Sequence, residues 1–300
     1  MYLVIFITFI FFLSIYKKKV PYLPYDNTSK IQSLNRDKIQ LSLFLLPLPI
    51  FLYQSELYFC LVLLGSLIVG ILDDKFHLNV KIRFIAISSF LLIYSFFSNH
   101  LIFFELIDNT YILIIITITL LLGFIHTMNM LDGRNGIVIL FFFNVFFYIF
   151  FKKIFLSDFI FIDFFYLIIF LIMFLMNLSN ISFLGNSGLI FISLYTGYYL
   201  IDCYNINLIS EKEIFCLFYI PFFDGIRVTY NRLLKKVNIF KPDKNHLHHK
   251  IKNWNLGLFI LSLSMIINDY LAYSVHYNFI IIFFISILVY FLILNVFEKN

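Results

Sequence analysis

Charged residues are scarce in this sequence. Only 13% of its 300 residues are charged and 62% are hydrophobic, with a mean hydropathy of +0.94. Soluble domains carry about 25% charged and about 45–50% apolar residues, so the shortage of charge excludes an ordinary soluble domain. Apolar runs near or above the roughly 18 residues that cross a bilayer recur along the chain, which predicts a multi-pass membrane protein.

Alternation of apolar and polar residues is missing too. Segment 111–123, for example, is apolar at almost every position, whereas membrane-spanning strands alternate with a period of two. A backbone surrounded by lipid must satisfy its own hydrogen bonds, and helices do so within one segment. We therefore expect an all-α polytopic integral membrane protein.

Cysteines are few and widely separated. Cys60, Cys203 and Cys216 match no metal-ligand or redox spacing, so we interpret them as packing residues. Basic residues are absent before the first apolar run, 1–16, and three lysines follow it at 17–19. A secretory signal has the reverse order. The run is therefore predicted to be a retained span with its N-terminus outside.

Eleven apolar runs are predicted to span the membrane, although the hydropathy profile is also compatible with ten. Two of them, 40–53 and 189–201, are short enough to be tilted or partly re-entrant. No soluble domain or clear internal repeat interrupts the pattern, so we predict one transmembrane domain over 1–300, and the missing repeat weighs against many transporter folds. The predicted spans are 1–16, 40–53, 56–72, 84–98, 111–131, 136–151, 159–177, 189–201, 213–231, 255–272 and 278–297.

The basic residues are distributed unevenly between the loops. With the N-terminus outside, 19 of the 22 Lys and Arg residues fall in inside segments, and only Lys152, Lys153 and Lys212 fall outside. Cytoplasmic loops carry such an excess, so the pattern supports this orientation. The net charge of +5 then reflects the basic residues of the inside loops. A nucleic-acid partner would need a contiguous basic patch, and the sequence has none, so no such partner is predicted.

Two adjacent carboxylates end the third predicted span. Asp73 and Asp74 are followed by Lys81 and Arg83. Neighbouring carboxylates at a membrane boundary repel each other and lose solvation, so they indicate a metal-linked or acid–base site. A solvated helix end is the alternative. The two cations either bind phosphate or anchor the next helix at the lipid headgroups.

Two further inside motifs combine polar and small residues. Asn129 and Asp132 are three positions apart, which places them on one helix face, and glycines follow at 133 and 136; a plain helix-ending turn is the alternative. The run 183–188, Phe-Leu-Gly-Asn-Ser-Gly, precedes a predicted helix. Free N–H groups at such a helix start favour anions, which predicts a phosphate cradle, with an ordinary loop as the alternative.

The last inside segment concentrates histidines and cations. Three of the seven histidines fall within four positions, at 246, 248 and 249, beside Lys244. Such a group either ligates a metal or binds phosphates and sugar hydroxyls, and the basic surroundings favour a diphosphate. Asp224, near the inside end of its span, is either functional or an ion-pair partner of Arg227 at i,i+3.

Together these motifs resemble a known family, the polyprenyl-phosphate N-acetylhexosamine-1-phosphate transferases of the glycosyltransferase 4 (MraY–WecA) superfamily. The stretch Asp73-Asp74…Lys81-Ile-Arg83 is similar to that of the WecA-like branch. Asn129-Met-Leu-Asp132-Gly133 resembles the family's N-x-x-D-G, and 243–249, Asp-Lys-Asn-His-Leu-His-His, resembles the D-R-x-H-[IL]-H-H loop of the same branch.

The resemblance implies a reaction at the inner face of the bacterial cytoplasmic membrane. Undecaprenyl phosphate attacks the β-phosphorus of a UDP-N-acetylhexosamine, UMP leaves, and the lipid-linked sugar starts a cell-envelope glycan such as O-antigen. Mg²⁺, or Mn²⁺, is the implied cofactor, and membrane lipid surrounds the site. The donor sugar, the downstream glycan and a homodimeric state are left open.

The resemblance also implies roles for individual residues. Asp73 or Asp74 activates or orients the lipid phosphate, and Asp132 orients substrate or supports the metal. The implied substrate-binding residues are Lys81, Arg83, Asn129, Lys244, His246, His248 and His249, and the implied metal ligands are Asn129 and Asn186.

Some positions depart from the family pattern. Asn186 stands where the family carries a metal-binding Asp, and His126 stands where it often has Asn. An amide oxygen can still coordinate Mg²⁺, but without a charge. A catalytically degenerate relative that binds lipid phosphate or partners is therefore the second hypothesis. A multi-pass transporter is the third, and it predicts charges in mid-span.

Overall fold

The described part of the protein is all-helical. The computed structural model describes residues 1–17, 20, 22–25, 39–97, 109–158, 160–236, 245–274 and 279–299. Within these ranges no β-strand occurs. The helices are Tyr2–Tyr16 (α1), Leu48–Gln54 (α2), Leu57–Phe76 (α3), Val80–Phe97 (α4), Thr110–Leu131 (α5), Ile137–Phe155 (α6), Phe161–Leu178 (α7), Gly185–Asn205 (α8), Glu211–Leu234 (α9), Leu247–Lys250 (α10), Trp254–Ser274 (α11) and Phe279–Lys299 (α12).

Among the described residues, six helices are long and apolar enough to cross a membrane: α3, α5, α6, α7, α11 and α12. Each has at least 18 residues, which at 1.5 Å per residue approaches the roughly 30 Å of a bilayer's hydrocarbon core. The prediction of an all-α, multi-pass membrane protein is confirmed at this level. The orientation and the full number of spans stay predictions.

Two of the predicted spans differ in the structure. Segment 40–53 does not form one helix, because a 3₁₀ turn, Leu43–Leu45, precedes the seven-residue α2. Pro47 and Pro49 lie at this junction, and proline removes a backbone donor and disfavours helical geometry in the residue before it. The run 189–201, in contrast, lies inside the longer helix α8.

The chain forms two compact units. The first comprises Met1–Asn129 and Phe161–Asn205, and the second comprises Met130–Ile160 and Ile206–Asn300. Each is assembled from two separate stretches of sequence. That the two units act together as one transmembrane domain over 1–300 stays a prediction.

Helix α8 is the core of the first unit. Its buried face includes Ser193 and Thr196, both 0% exposed, and α3 packs along it. Aromatic rings cover it further: Phe51 stacks on Tyr195 with 3.6 Å between ring centroids, and Phe59 stacks on Tyr198 at 3.8 Å. Because protein rather than lipid surrounds α8, it tolerates the hydroxyl groups that lower its hydropathy.

A short parallel bridge fixes the chain before α8. The Phe183 N–H donates to the Gln40 carbonyl (3.1 Å), and the Leu43 N–H donates to the Phe183 carbonyl (3.2 Å). The Ser42 and Ser182 hydroxyls are 2.9 Å apart, and both residues are fully buried. The start of α8 is thereby held against a segment 140 positions earlier in the chain.

The second unit is built on α9. Helices α11 and α12 pack against α9, and α6 packs against α11. Where these helices meet, the buried Asn268 amide donates to the Cys216 carbonyl (3.4 Å) and the Ser286 hydroxyl (3.2 Å). Polar links of this kind fix the helices relative to one another within the unit.

Candidate functional site

The turn after α3 brings Arg83 back to Asp73 in the first unit. Helix α3 ends at His77, whose φ of 51° is left-handed and whose N–H donates to the Asp73 carbonyl. The Asn79 side chain then accepts from the Lys81 N–H (3.0 Å) at the start of α4. This three-residue turn places Arg83 in the first turn of α4, within reach of the last turn of α3.

Asp73 and Arg83 form a largely buried ion pair. Arg83 Nη1 is 2.6 Å from Asp73 Oδ2, and the two side chains are 17% and 4% exposed, respectively. The sequence predicted both residues as functional, and the structure brings them into contact. Lys81, predicted beside them as a phosphate-binding residue, is exposed.

Asp74 caps helix α8. Its Oδ1 accepts from the Asn186 N–H (2.7 Å), and its Oδ2 accepts from the Ser187 N–H (2.9 Å). These are two of the unpaired amides at a helix start, where the helix dipole also favours negative charge. The sequence predicted that the N–H groups of 183–188 bind phosphate. Two of these N–H groups instead donate to a side-chain carboxylate of the same unit.

Two glycines permit this contact. Gly185 has a φ of +67°, and a Cβ there would lie 2.8 Å from Asp74 Oδ2. A Cβ on Gly70, one turn before Asp74, would overlap the Ser187 backbone. Helices α3 and α8 therefore approach each other closely at the point where the capping bonds form.

The two adjacent carboxylates thus have different partners. Asp73 faces the Arg83 guanidinium, and Asp74 faces the N-terminus of α8. Each negative charge meets its own positive group, which offsets the repulsion expected between neighbours. Asp74 has a capping role here, while Asp73 forms an ion pair with Arg83.

The amide candidates lie at helix ends. Asn129 is in the last turn of α5 and is partly exposed; Asn186, also partly exposed, is in the first turn of α8. Helix α5 ends at Leu131, and the exposed Asp132 lies in the turn that follows, so the shared face of Asn129 and Asp132 stays a prediction.

In the second unit, Asp224 is the centre of a buried hydrogen-bond network. It is 1% exposed and accepts from Arg227 Nη2 (2.7 Å), Tyr290 Oη (2.9 Å), the Leu247 N–H (3.1 Å) and His246 Nδ1 (2.9 Å). We call Asp224, Arg227, His246 and Tyr290 the Asp224 cluster. The ion pair with Arg227 that the sequence offered as an alternative is present, and it is one of several contacts.

Arg227 joins the Asp224 cluster to the histidine segment. Its Nε donates to Tyr290 Oη (2.8 Å), and its Nη2 also donates to the Asn245 carbonyl (2.6 Å). Tyr290 comes from α12 and is 0% exposed. One guanidinium therefore ties α9, α12 and the chain before His246 together.

The histidine segment has a fixed arrangement. The Asp224 carboxylate is an acceptor, so the Nδ1 of His246 carries a proton and donates it to this carboxylate. The His246 and His248 rings are parallel within 3°, with centroids 5.7 Å apart, and the centroids of His248 and His249 are 4.1 Å apart. Lys244, the cation predicted beside them, lies outside the described residues.

The turn 132–136 packs against the histidine segment. A Cβ on Gly133 would overlap the His248 imidazole, so only glycine leaves room for that ring. Arg134 donates to the Ile251 carbonyl (2.6 Å), and Trp254 Nε1 donates to the Asn135 carbonyl (2.9 Å). Two motifs more than one hundred positions apart thus form one surface in the second unit.

Burial determines the protonation of His248. Desolvation first, and then the neighbouring histidines, lower its pKa from 6.5 to about 3, so the ring is neutral at physiological pH. Its Nδ1 has no hydrogen-bond partner within the described ranges.

This pKa predicts a pH dependence of stability. The unfolded chain binds the proton of His248 below pH 6.5 and the folded chain does so only below about 3. The stability associated with the neutral His248 ring is thus fully present above pH 6.5 and is lost as the pH falls toward 3. Over that range the free energy of unfolding decreases by up to about 1.4 kcal/mol per pH unit. We expect the denaturation midpoint in detergent to fall more steeply between pH 6.5 and 4.5 for the wild type than for His248→Asn. Equal slopes would contradict this assignment.

No group of three or more His, Cys, Asp or Glu side chains in the described ranges is arranged to hold a metal ion. Asp74 uses both carboxylate oxygens for α8, and Asp73 faces Arg83. The residues in this arrangement do not fit Mg²⁺, which takes oxygen ligands in near-octahedral geometry. Mg²⁺ or Mn²⁺ as the cofactor stays a prediction.

Several contributors to these clusters carry no sequence signal. Tyr290 lies in an apolar run 66 positions from Asp224, and Trp254 directly precedes the predicted span 255–272. The spacing of Asp224 and Arg227 did indicate a pair, but nothing in the sequence indicated that His246 shares it. Long-range hydrogen bonds of this kind are visible only after the helices pack.

The comparisons with known proteins add no family assignment. No protein-family model matches this chain. A search of curated proteins also finds no match.

Proposed function

We propose that the protein transfers an N-acetylhexosamine 1-phosphate from a UDP-sugar to undecaprenyl phosphate and releases UMP. The observation that carries the proposal is the pairing of the motifs. In the first unit, Asp74 binds the backbone of the 183–188 motif. In the second, Gly133 accommodates His248. Motifs linked only by the family resemblance are thus in contact, as expected of residues with a common function.

The Asp73–Arg83 pair fits a role in handling phosphate. Phosphoryl transfer depends mainly on positioning and on neutralising charge. Arg83 supplies a planar, permanently charged donor set that suits phosphate, and it is already partly buried beside Asp73. In the proposed reaction the lipid phosphate takes up part of the Arg83 contact, and Asp73 orients or deprotonates it.

Asp74 is assigned a different role from Asp73. Its two oxygens hold the start of α8, which also carries Asn186. Asp74 is therefore a positioning residue. The family resemblance left open whether Asp73 or Asp74 acts on the lipid phosphate, and we assign that role to Asp73.

The Asp224 cluster fits the binding of the donor substrate. The buried carboxylate fixes the His246 ring through Nδ1 and leaves Nε2 to accept from a sugar hydroxyl or donate to an anion after protonation. Five further residues stay predicted substrate contacts: Lys81, Asn129, Asp132, Lys244 and His249. The proposed location is a bacterial cytoplasmic membrane, with the N-terminus outside.

The proposal is tested by product formation. Membranes containing the protein are incubated with undecaprenyl phosphate and a labelled UDP-sugar, first UDP-N-acetylglucosamine and then a panel of UDP-N-acetylhexosamines. We expect labelled lipid and an equal amount of UMP. Asp73→Asn is expected to lower the rate about 100-fold or more, the usual effect of removing a group that acts on transition-state charge.

Asp158→Asn is the matched control for that variant. It makes the same chemical change at an exposed acid, and its rate is expected to equal that of the wild type. Full activity of Asp73→Asn would remove Asp73 from the mechanism.

Asn186→Asp tests the degenerate alternative. If no donor gives product with the wild type and Asn186→Asp restores product, the chain is a relative that has lost a metal ligand. If neither protein forms product or binds a UDP-sugar, the transferase proposal is wrong.

A further inference from the structure

The second unit buries two acids that the proposed transferase reaction does not use. Glu213 lies near the start of α9, and Asp269 lies in α11, one of the helices apolar enough to span a membrane. Their exposures are similar, 6% and 8%. Their surroundings are opposite.

Glu213 is fully compensated. Its Oε1 accepts from Lys152 and Tyr148, and its Oε2 accepts from the Ser210 N–H (2.7 Å) and hydroxyl (2.9 Å). A buried carboxylate with a cation and several donors is stable in its ionised form. Glu213 therefore serves as an internal reference for an ionised buried acid.

Asp269 has no comparable partners. No ion pair of the described residues involves it, and its Oδ1 is buried without a hydrogen-bond partner among them. The Asn144 amide of α6 lies beside the carboxyl group, yet the Nδ2 of Asn144 is also buried and unpartnered.

The titratable groups around Asp269 supply no positive charge. From α6 Tyr148 interacts with it, and from α9 Cys216 and Tyr219 do so. On the side of α12, the Ser286 hydroxyl accepts from Asn268, the residue before Asp269. None of these groups is cationic, so an ionised Asp269 would be an isolated charge in an apolar interior, which proteins do not sustain.

A single proton resolves all of these features. A neutral carboxylic acid has one O–H donor and a carbonyl acceptor, and a primary amide has the same complement. The acid can donate to the Asn144 Oδ1 while its own carbonyl accepts from the Asn144 Nδ2. This cyclic pair would satisfy the two unpartnered atoms, Asp269 Oδ1 and Asn144 Nδ2. An ionised carboxylate could accept from the amide but would repel its oxygen.

We propose that Asp269 and Asn144 form a proton-binding site inside the second unit. Its ligand is a proton, taken from water and held by the Asp269 carboxyl at neutral pH. The site is independent of the transfer reaction, so loss of the transferase proposal would leave it unchanged. It places an exchangeable proton in a helix that is apolar enough to span the membrane.

Infrared difference spectroscopy on the purified full-length protein in lipid nanodiscs tests the site. At pH 7 the wild type is expected to show the carbonyl stretch of a protonated carboxylic acid, and Asp269→Asn is expected to lose it completely. Glu213→Gln is the matched control: it removes the buried acid that has a cation and several donors beside it, and the band should persist. Asn144→Leu should shift the band, because the carbonyl loses its amide donor.

Three results would overturn the proposal. The first is a band of equal intensity in wild type and Asp269→Asn. The second is a band present at pH 7 in choline chloride and abolished by sodium chloride, which would make the ligand a metal cation. The third applies if Asp269→Asn does not fold: wild type carrying ¹³C-carboxyl aspartate would then show only ionised aspartates at pH 7, whereas the proposal expects a ¹³C-shifted acid band.

Discussion

Replacing Asp224 with alanine is expected to lower the free energy of unfolding by about 3–5 kcal/mol, the usual cost of removing one partner from a buried charge pair. The variant leaves Arg227, His246 Nδ1, the Leu247 N–H and the Tyr290 hydroxyl without their common acceptor. Denaturant titration of the purified protein in detergent measures the loss. A change below about 1 kcal/mol, the level of an exposed pair, would contradict the assigned burial.

Two further variants show how that loss arises. Asp224→Asn keeps the size and one acceptor oxygen, so it should be destabilised less than Asp224→Ala. Adding Arg227→Met to Asp224→Ala should restore part of the stability, because the uncompensated guanidinium is then gone. Contacting residues of this kind couple by about 0.5–3 kcal/mol in a double-mutant cycle. Strict additivity would indicate that Arg227 does not depend on Asp224.

Asp74→Ala is expected to cost about 2–4 kcal/mol in the first unit. It removes the acceptor of two backbone N–H groups, from Asn186 and Ser187, and each unsatisfied buried donor costs about 1–3 kcal/mol. Asp74→Asn keeps one acceptor oxygen and should lose roughly half as much, within the range for helix caps. The measurement is the same denaturant titration, and equal stability of all three proteins would exclude a capping role.

Glycine substitutions test the same contact from the other side. Gly185→Ala forces a side chain onto a left-handed backbone, which costs about 1–2 kcal/mol, and places its Cβ 2.8 Å from Asp74 Oδ2. Gly123→Ala is the matched control, since a Cβ there meets nothing within 4 Å. We expect destabilisation only for Gly185→Ala. The reverse order would mean that α8 does not begin as described.

Hydropathy predicted the membrane helices because lipid selects for apolar side chains along their whole length. It predicted α8 poorly, since the burial of Ser193 and Thr196 against other helices leaves a weaker signal. Segment 40–53 was predicted as a span because its composition is apolar, and the two prolines that divide it do not change the mean hydropathy. The backbone restrictions of proline, which hydropathy does not describe, therefore decided where the helix in this segment begins.

The sequence indicated which residues belong to the candidate site. It indicated less well which of them contact one another. Asp73, Asp74 and the histidines stand out because polar groups are rare in this sequence. Sequence reasoning gave the adjacent acids one shared role, but Asp73 pairs with Arg83 while Asp74 caps α8. Asp269 was overlooked, since a single acid near the end of an apolar run resembles a solvated helix terminus.

The bridge between 40–43 and 182–183 has a consequence for biosynthesis. Ser42 is translated 140 residues before the serine that it contacts, and ribosomes add about 5–20 residues per second, so roughly 7–30 seconds separate the two. During that interval the Gln40 carbonyl and the Leu43 N–H have no access to the Phe183 backbone groups that pair with them later. A nascent chain that stops before Ser182 therefore cannot complete the first unit, and the N-terminal stretch matures only after α7 has been synthesised.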